Sequence, residues 1–233
     1  MAIDSGYLST QWTDADVFLR PAWTSLTGGL TEFEALALRT MAVSILIDGE
    51  VFPAVGRWLE AAPKVDRYNH IVAMFSALES VSGLPGPKFV LAHLRVPHDP
   101  YLFAADGSFL SDQTSHNPGY PDQVRCVNAR LLPIVDDILA RSGVPPVILI
   151  QGDHGSPEFR ADARRMAILN AIHLPGPGKT MLYPTLSPVN SFRIVFDATF
   201  GTSFGTLPDV SWLSLPGSDM DFILVSQDGN CEG

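Results

Sequence analysis

The sequence has little cysteine and little charge, and both shortages narrow what the chain can be. It has two cysteines, Cys126 and Cys231, which are too few for a disulfide framework or a cysteine-based zinc cluster. We expect the first to be buried on a helix and the second to lie in a tail. Charged residues make up 17% of the 233 residues and hydrophobic residues 46%. This composition excludes a disordered chain and is ample for one sizeable core.

Positive charge and long apolar segments are also scarce. Lys and Arg number 15 against 25 Asp and Glu, which gives a formal net charge of −10. We therefore expect no nucleic-acid partner and no binding to anionic membrane surfaces. Residues 1–20 contain no apolar core of a signal peptide, and the most apolar predicted helix is too short to span a bilayer. As given, the chain is predicted to be soluble.

The most informative stretch is Val147–Gly155. It opens with an apolar run that predicts a short strand, buried on both faces as in parallel sheets. Two glycines then bracket Asp153 and His154 where the strand ends. Open α/β sheets bind their ligands at the carboxyl ends of parallel strands. A carboxylate and an imidazole there could hold a divalent cation, or could form an ordinary turn; the residues favour the metal site.

A second predicted strand, residues 89–94, ends in a loop whose two prolines hold His98 in extended backbone. A predicted helix over residues 121–143 joins it to the strand at 147–151. The order strand, helix, strand predicts a right-handed parallel βαβ unit. Both strands of such a unit exit at the same edge of the sheet, so His98 would lie on the same side as the Asp-His turn.

The remaining elements carry weaker signals. A capping box opens a predicted helix at Thr31–Ile47, and Asp66 is predicted to cap a helix that ends at Gly83. Further along, the pattern predicts a strand over residues 171–175 and a helix over residues 190–200. Residues 1–30 are predicted to be irregular, and residues 213–233 show no clear pattern.

Three motifs follow one another in the chain: Pro97-His98-Asp99-Pro100-Tyr101, Ile150-Gln151-Gly152-Asp153-His154-Gly155 and Ser187-Pro188-Val189-Asn190-Ser191-Phe192-Arg193. Together they resemble the sulfatase-like domain of the alkaline phosphatase superfamily, above all its membrane-anchored members related to lipoteichoic acid synthase. The resemblance implies a three-layer α/β/α sandwich with a mainly parallel sheet. It predicts one partial domain over residues 1–233, incomplete at its N-terminus, with a matched core at 31–212 and a tail at 213–233.

The resemblance also implies a chemistry, that of a metal-dependent phosphoric or sulfuric ester hydrolase or phosphotransferase. Asp153 and His154 match the family's metal ligands, and His98 matches a residue that contacts the transferred group. The implied cofactor is a divalent metal, Mn²⁺ or Zn²⁺, with Ca²⁺ or Mg²⁺ as alternatives. The implied substrate is a small phosphate or sulfate ester, or a lipid or glycan head group.

The family's nucleophile and the acidic metal ligand of its first strand have no match in this sequence. Asp4 and Thr10 are the available substitutes, but we expect that nothing before Asp4 can form the buried strand that would place it. Two protein ligands leave a weak tetrahedral site, and covalent transfer has no first step without an activated nucleophile.

This departure sets the functional expectation. We expect the C-terminal portion of such an enzyme, inactive alone, whose missing parts come from an N-terminal segment or a membrane-anchored partner. One alternative is a non-catalytic binding or partner module with a degenerate sulfatase-like pocket. Another is an unrelated α/β binding domain, in which case the agreement of the motifs is chance.

Overall fold

The structure, a computed structural model, describes residues 1–6, 10–20, 37, 53–110, 119–156, 159, 163–214, 217, 220–225 and 231–232. Apart from Ala37, the predicted helix at Thr31–Ile47 lies outside these residues. The chain divides into two compact units, Met1–Arg141 and Ser142–Gly233. Helices and strands are mixed in it, and the strands include a small parallel sheet, which agrees with a general α/β class. No helix in the described part of the chain is long and apolar enough to cross a bilayer.

The first unit contains a parallel sheet of three short strands in the order β2-β1-β3. These strands are β1 (Ala2–Ile3), β2 (Phe18–Leu19) and β3 (Leu91–Ala92). The central strand is buried, with Ala2 and Ile3 only 2% and 3% exposed. A buried strand therefore does precede Asp4, and the expectation that nothing there could form one is wrong. Two residues are too few for a hydrophobic period to appear in the sequence.

Two helices supply most of the core of this unit: α1 (Pro53–Ser80) and α2 (Gly119–Arg141). The prediction of α2 is confirmed, whereas the prediction that Asp66 caps a helix is wrong, because Asp66 lies inside α1 and is buried. An interior proline, Pro63, hid the earlier turns, since proline usually ends a helical pattern. The core joins residues of both helices to the segment between them: Ile71, Phe75, Leu102, Phe103, Cys126, Val127 and Ile134.

The second unit begins with a two-stranded sheet that packs on a helix. Its strands are β4 (Ile148–Gln151) and β5 (Asn170–His173), and they pair in antiparallel fashion. The helix is α3 (Pro188–Phe200), whose Ile194 and Val195 join the core of the unit. All three elements lie close to their predicted positions.

The predicted parallel βαβ unit is wrong within the described residues. Strand β3 pairs with β1, whereas β4 pairs with β5, and the two pairs belong to separate sheets. An apolar run indicates that a strand is covered on its faces, but it carries no information on the direction of the neighbouring strand. An apolar strand therefore does not by itself predict a parallel partner.

The C-terminal residues, which showed no clear pattern, form a third sheet. Strands β6 (Ser211–Ser214), β7 (Phe222–Val225) and β8 (Cys231–Glu232) are antiparallel in that order. The run Phe222-Ile223-Leu224-Val225 was the available signal, since short apolar runs of branched and aromatic residues favour strands.

A polar network at the start of α3 anchors the segment that leads into β6. The carboxylate of Asp209 accepts hydrogen bonds from the Ser187 backbone N–H and hydroxyl, from the Tyr183 hydroxyl and from the Asn190 amide. Asn190 is fully buried and also pairs with the N–H and C=O of Leu207. Burial alone would raise the pKa of Asp209, but the hydrogen bonds outweigh it and hold that pKa below its usual value.

This network predicts a defined dependence of stability on pH. The carboxyl has a lower pKa in the folded chain than in the unfolded chain, where it is about 3.9. The unfolded chain therefore binds the proton first as pH falls, so this contribution to stability is present above about pH 4 and is lost below it. We expect Asp209→Asn to lower the free energy of unfolding at neutral pH and to flatten its decrease in acid. Urea unfolding over a pH series measures both effects.

The matched control is Asp153→Asn, because Asp153 is in the same unit and its side chain is 87% exposed. It should leave the free energy of unfolding at neutral pH close to that of the original chain. An unaltered slope in Asp209→Asn would show that the network contributes no proton linkage.

Candidate functional site

Asp153 and His154 lie directly after β4, in the turn that the sequence predicted for them. The distance from His154 Nε2 to Asp153 Oδ2 is 3.6 Å. Both side chains are open to solvent, with exposed fractions of 36% for His154 and 87% for Asp153. The backbone N–H of His154 donates to the other carboxylate oxygen, Oδ1, at 3.1 Å. The turn thus brings one carboxylate oxygen and one imidazole nitrogen together at the surface.

The spacing and the proton position of this pair both fit a metal ion. Two donors of one tetrahedral ion, each about 2.1 Å from it, lie about 3.4 Å apart, close to the separation seen here. His154 Nδ1 lies 2.8 Å from the carbonyl oxygen of Gly155. A carbonyl only accepts, so Nδ1 carries the proton, and in the neutral imidazole Nε2 is the nitrogen with the lone pair for a ligand. Metal-binding histidines are commonly oriented by such a bond.

Two hydrogen bonds between Gly155 and Arg165 hold the turn just after the Asp-His pair. Gly155 donates its N–H to the Arg165 carbonyl at 2.6 Å, and Arg165 Nη1 donates to the Gly155 carbonyl at 2.9 Å. A Cβ at Gly155 would lie 2.6 Å from the carbonyl oxygen of Arg164 and 3.0 Å from that of Ala167. Any side chain at this position would therefore press on the backbone of residues 164–167. The sequence alone does not show this role of Arg165, because arginines near such a turn fit an anion site or a solvated helix face equally well.

A second set of hydrogen bonds fixes the end of β4. Gln151 Nε2 donates to Asn170 Oδ1 at 2.8 Å and to Ser191 Oγ at 2.5 Å. Ser191 lies on α3 and is fully buried. The side chain of Gln151 thus ties the strand to β5 and to the helix immediately before the turn, so that the Asp-His pair begins from a rigid backbone.

His98 lies in the other unit, Met1–Arg141, and is described by itself. Its Nδ1 is 2.5 Å from the Asp99 carbonyl oxygen and 3.1 Å from Asp99 Oδ1, and its side chain is 53% exposed. Two side chains hold this loop from the helices. Arg67 of α1 donates to the carbonyls of Arg95, His98 and Asp99, and the buried Gln123 of α2 donates to that of His98. The imidazole of His98 is therefore exposed to solvent, while hydrogen bonds from Arg67 and Gln123 hold its backbone.

Asp4 directly follows β1, and the hydroxyl of Thr10, the other substitute that the sequence offers, lies 2.9 Å from that of Ser5. The carboxylate of Asp4 accepts from the Gly6 N–H and from Gln11 Nε2, each at 2.9 Å, and lies 3.3 Å from Arg20 Nε. These contacts support a bracing role for Asp4. Among the described residues no group of three or more His, Cys, Asp or Glu side chains could hold a metal ion. The Asp-His pair therefore offers two donor atoms, fewer than the usual four of a tetrahedral site.

The crowding around Gly155 leads to a prediction for Gly155→Ala. The added methyl group would press on backbone carbonyls that cannot move independently, so we expect a loss of about 1–3 kcal/mol in the free energy of unfolding. The matched control is Gly143→Ala, where a Cβ would meet nothing within 4 Å. Chemical denaturation of both variants measures the difference. Equal stabilities would contradict the account of this turn.

No protein-family model, curated protein or solved structure matches the chain.

Proposed function

We propose that the chain forms part of a metal-dependent phosphoric or sulfuric ester hydrolase or phosphotransferase, with the sandwich fold of the alkaline phosphatase superfamily. The observation that carries this proposal is the pairing of Asp153 Oδ2 with His154 Nε2 at 3.6 Å, with the histidine proton on Nδ1. The order of the three motifs along the chain supports it as well. The nucleophile and the further metal ligands would come from residues outside those described.

Each residue has a stated role in the proposal. Asp153 supplies an anionic oxygen that offsets the charge of a divalent cation, and His154 supplies a neutral nitrogen of fixed tautomer. When bound, such a cation polarises the ester oxygen and lowers the pKa of a coordinated hydroxyl or water. By the resemblance of its motif, His98 would contact the transferred group; its Nδ1 lies 3.1 Å from Asp99 Oδ1.

The proposal predicts weak but specific metal binding. We expect Mn²⁺ or Zn²⁺ to bind with a Kd of about micromolar or weaker, because the described site offers only part of a ligand set. His154→Ala and Asp153→Ala should each abolish the binding heat in isothermal titration calorimetry.

The chain offers a matched control in His173. Its Nδ1 also lies 2.8 Å from a backbone carbonyl, that of Pro146, and it belongs to the same unit. His173→Ala should bind the metal like the original chain. Equal binding by the original chain and by both Asp153→Ala and His154→Ala would remove this pair from the metal site.

The proposal also predicts that the isolated chain does not turn over aryl phosphates or aryl sulfates. Without a nucleophile at the metal, only binding and charge stabilisation remain, and most of the rate enhancement is lost. We expect no steady turnover of 4-nitrophenyl phosphate or 4-nitrophenyl sulfate with Mn²⁺ or Zn²⁺ present. Multiple turnover that disappears in His154→Ala and persists in His173→Ala would contradict this and show that the chain supplies its own nucleophile at the metal.

A further inference from the structure

A second group of reactive side chains lies at the carboxyl end of the parallel sheet in the unit Met1–Arg141. Ser5 comes two residues after β1, and His93 follows β3 directly. Thr10 Oγ1 lies 2.7 Å from His93 Nδ1 and 2.9 Å from Ser5 Oγ. Two hydroxyls and an imidazole therefore form one hydrogen-bonded chain at the edge where α/β sheets bind their ligands.

We propose that Thr10 is a nucleophile that His93 activates by accepting its proton. A hydroxyl within hydrogen-bond distance of an imidazole nitrogen is the arrangement that covalent hydrolases use. With Nδ1 of His93 as the acceptor, the Thr10 hydroxyl points at His93 and its oxygen accepts from Ser5. Ser5 is only 4% exposed, whereas Thr10 and His93 are partly exposed, so that a reagent can reach the reactive pair.

The charges around this group favour a neutral substrate. Asp4 contributes a carboxylate beside Ser5, and the guanidinium of Arg20 is 3.3 Å from that carboxylate. A phosphate or sulfate ester would bring further negative charge to a site that already holds the Asp4 carboxylate. A carboxylic ester is uncharged until the tetrahedral intermediate forms. The substrate class is therefore a neutral carboxylic ester, and the site uses none of the residues assigned to the metal-dependent reaction.

The reaction balances with water as the only co-reactant. Thr10 Oγ1 bonds to the acyl carbon as its proton passes to His93 Nδ1. The bond from that carbon to the leaving oxygen then breaks, and His93 returns the proton to the leaving group. Water hydrolyses the acyl-threonine in the same way, so one ester and one water give one acid and one alcohol.

The test uses the full chain and 4-nitrophenyl acetate without added metal. We expect a burst of 4-nitrophenol and one acetyl group per chain, which peptide mass spectrometry should place on Thr10. Thr10→Val should abolish both, and His93→Gln should slow acetylation at least about 100-fold, the lower end of what a general base contributes. Thr10→Ser removes a methyl group but keeps the hydroxyl, so it should retain the burst.

Thr180→Val is the control for unspecific acetylation, since Thr180 is an exposed threonine whose hydroxyl donates to a backbone carbonyl. It should react like the original chain. Absence of a burst in the original chain, or an acetyl group that stays in Thr10→Val, would overturn the proposal. Neither result bears on metal binding at Asp153 and His154, so the two proposals stand or fall separately.

Discussion

The arrangement of the Asp-His pair depends on the absence of a side chain at Gly155. Three carbonyl oxygens, those of Arg164, Arg165 and Ala167, lie within 3.1 Å of the point where its Cβ would be. This close approach lets the N–H of Gly155 reach the Arg165 carbonyl, and it aims the Gly155 carbonyl at both His154 Nδ1 and the Arg165 guanidinium. The tautomer of His154, and with it the lone pair on Nε2, follows from this backbone geometry.

Buried amide side chains have a similar function in each unit, where they brace backbone that belongs to no helix or strand. Gln123 accepts from the N–H groups of Leu102 and Phe103 and donates to the His98 carbonyl. Asn190 accepts from the N–H of Leu207 and donates to the Leu207 carbonyl and to the carboxylate of Asp209. Irregular backbone inside a fold needs such partners because its polar groups have lost water. The backbone at His98 and at Leu207 is therefore held by hydrogen bonds from buried side chains of the helices.

The sequence predicted the elements with a sustained pattern and missed those without one. The sequence predicted four elements close to where they lie: α2, β4, β5 and α3. It also placed Asp153 and His154 in the turn after β4, which required only that β4 end before Gly152. The strand Ala2–Ile3 was missed because two residues are too few to show a hydrophobic period. The predicted parallel pairing of β4 was wrong because an apolar run does not determine the direction of the neighbouring strand. Arg165 contacts Gly155, and Ser191 contacts Gln151, across many intervening residues, so no local pattern could predict these contacts.

The central claim is that Asp153 Oδ2 and His154 Nε2 share one divalent cation. Anomalous diffraction at the manganese absorption edge, from crystals of the chain soaked in Mn²⁺, locates the ion without any assumption about activity. The account predicts a peak within about 2.0–2.3 Å of both atoms. A well-occupied manganese peak elsewhere in the chain, with none at this turn, would contradict it.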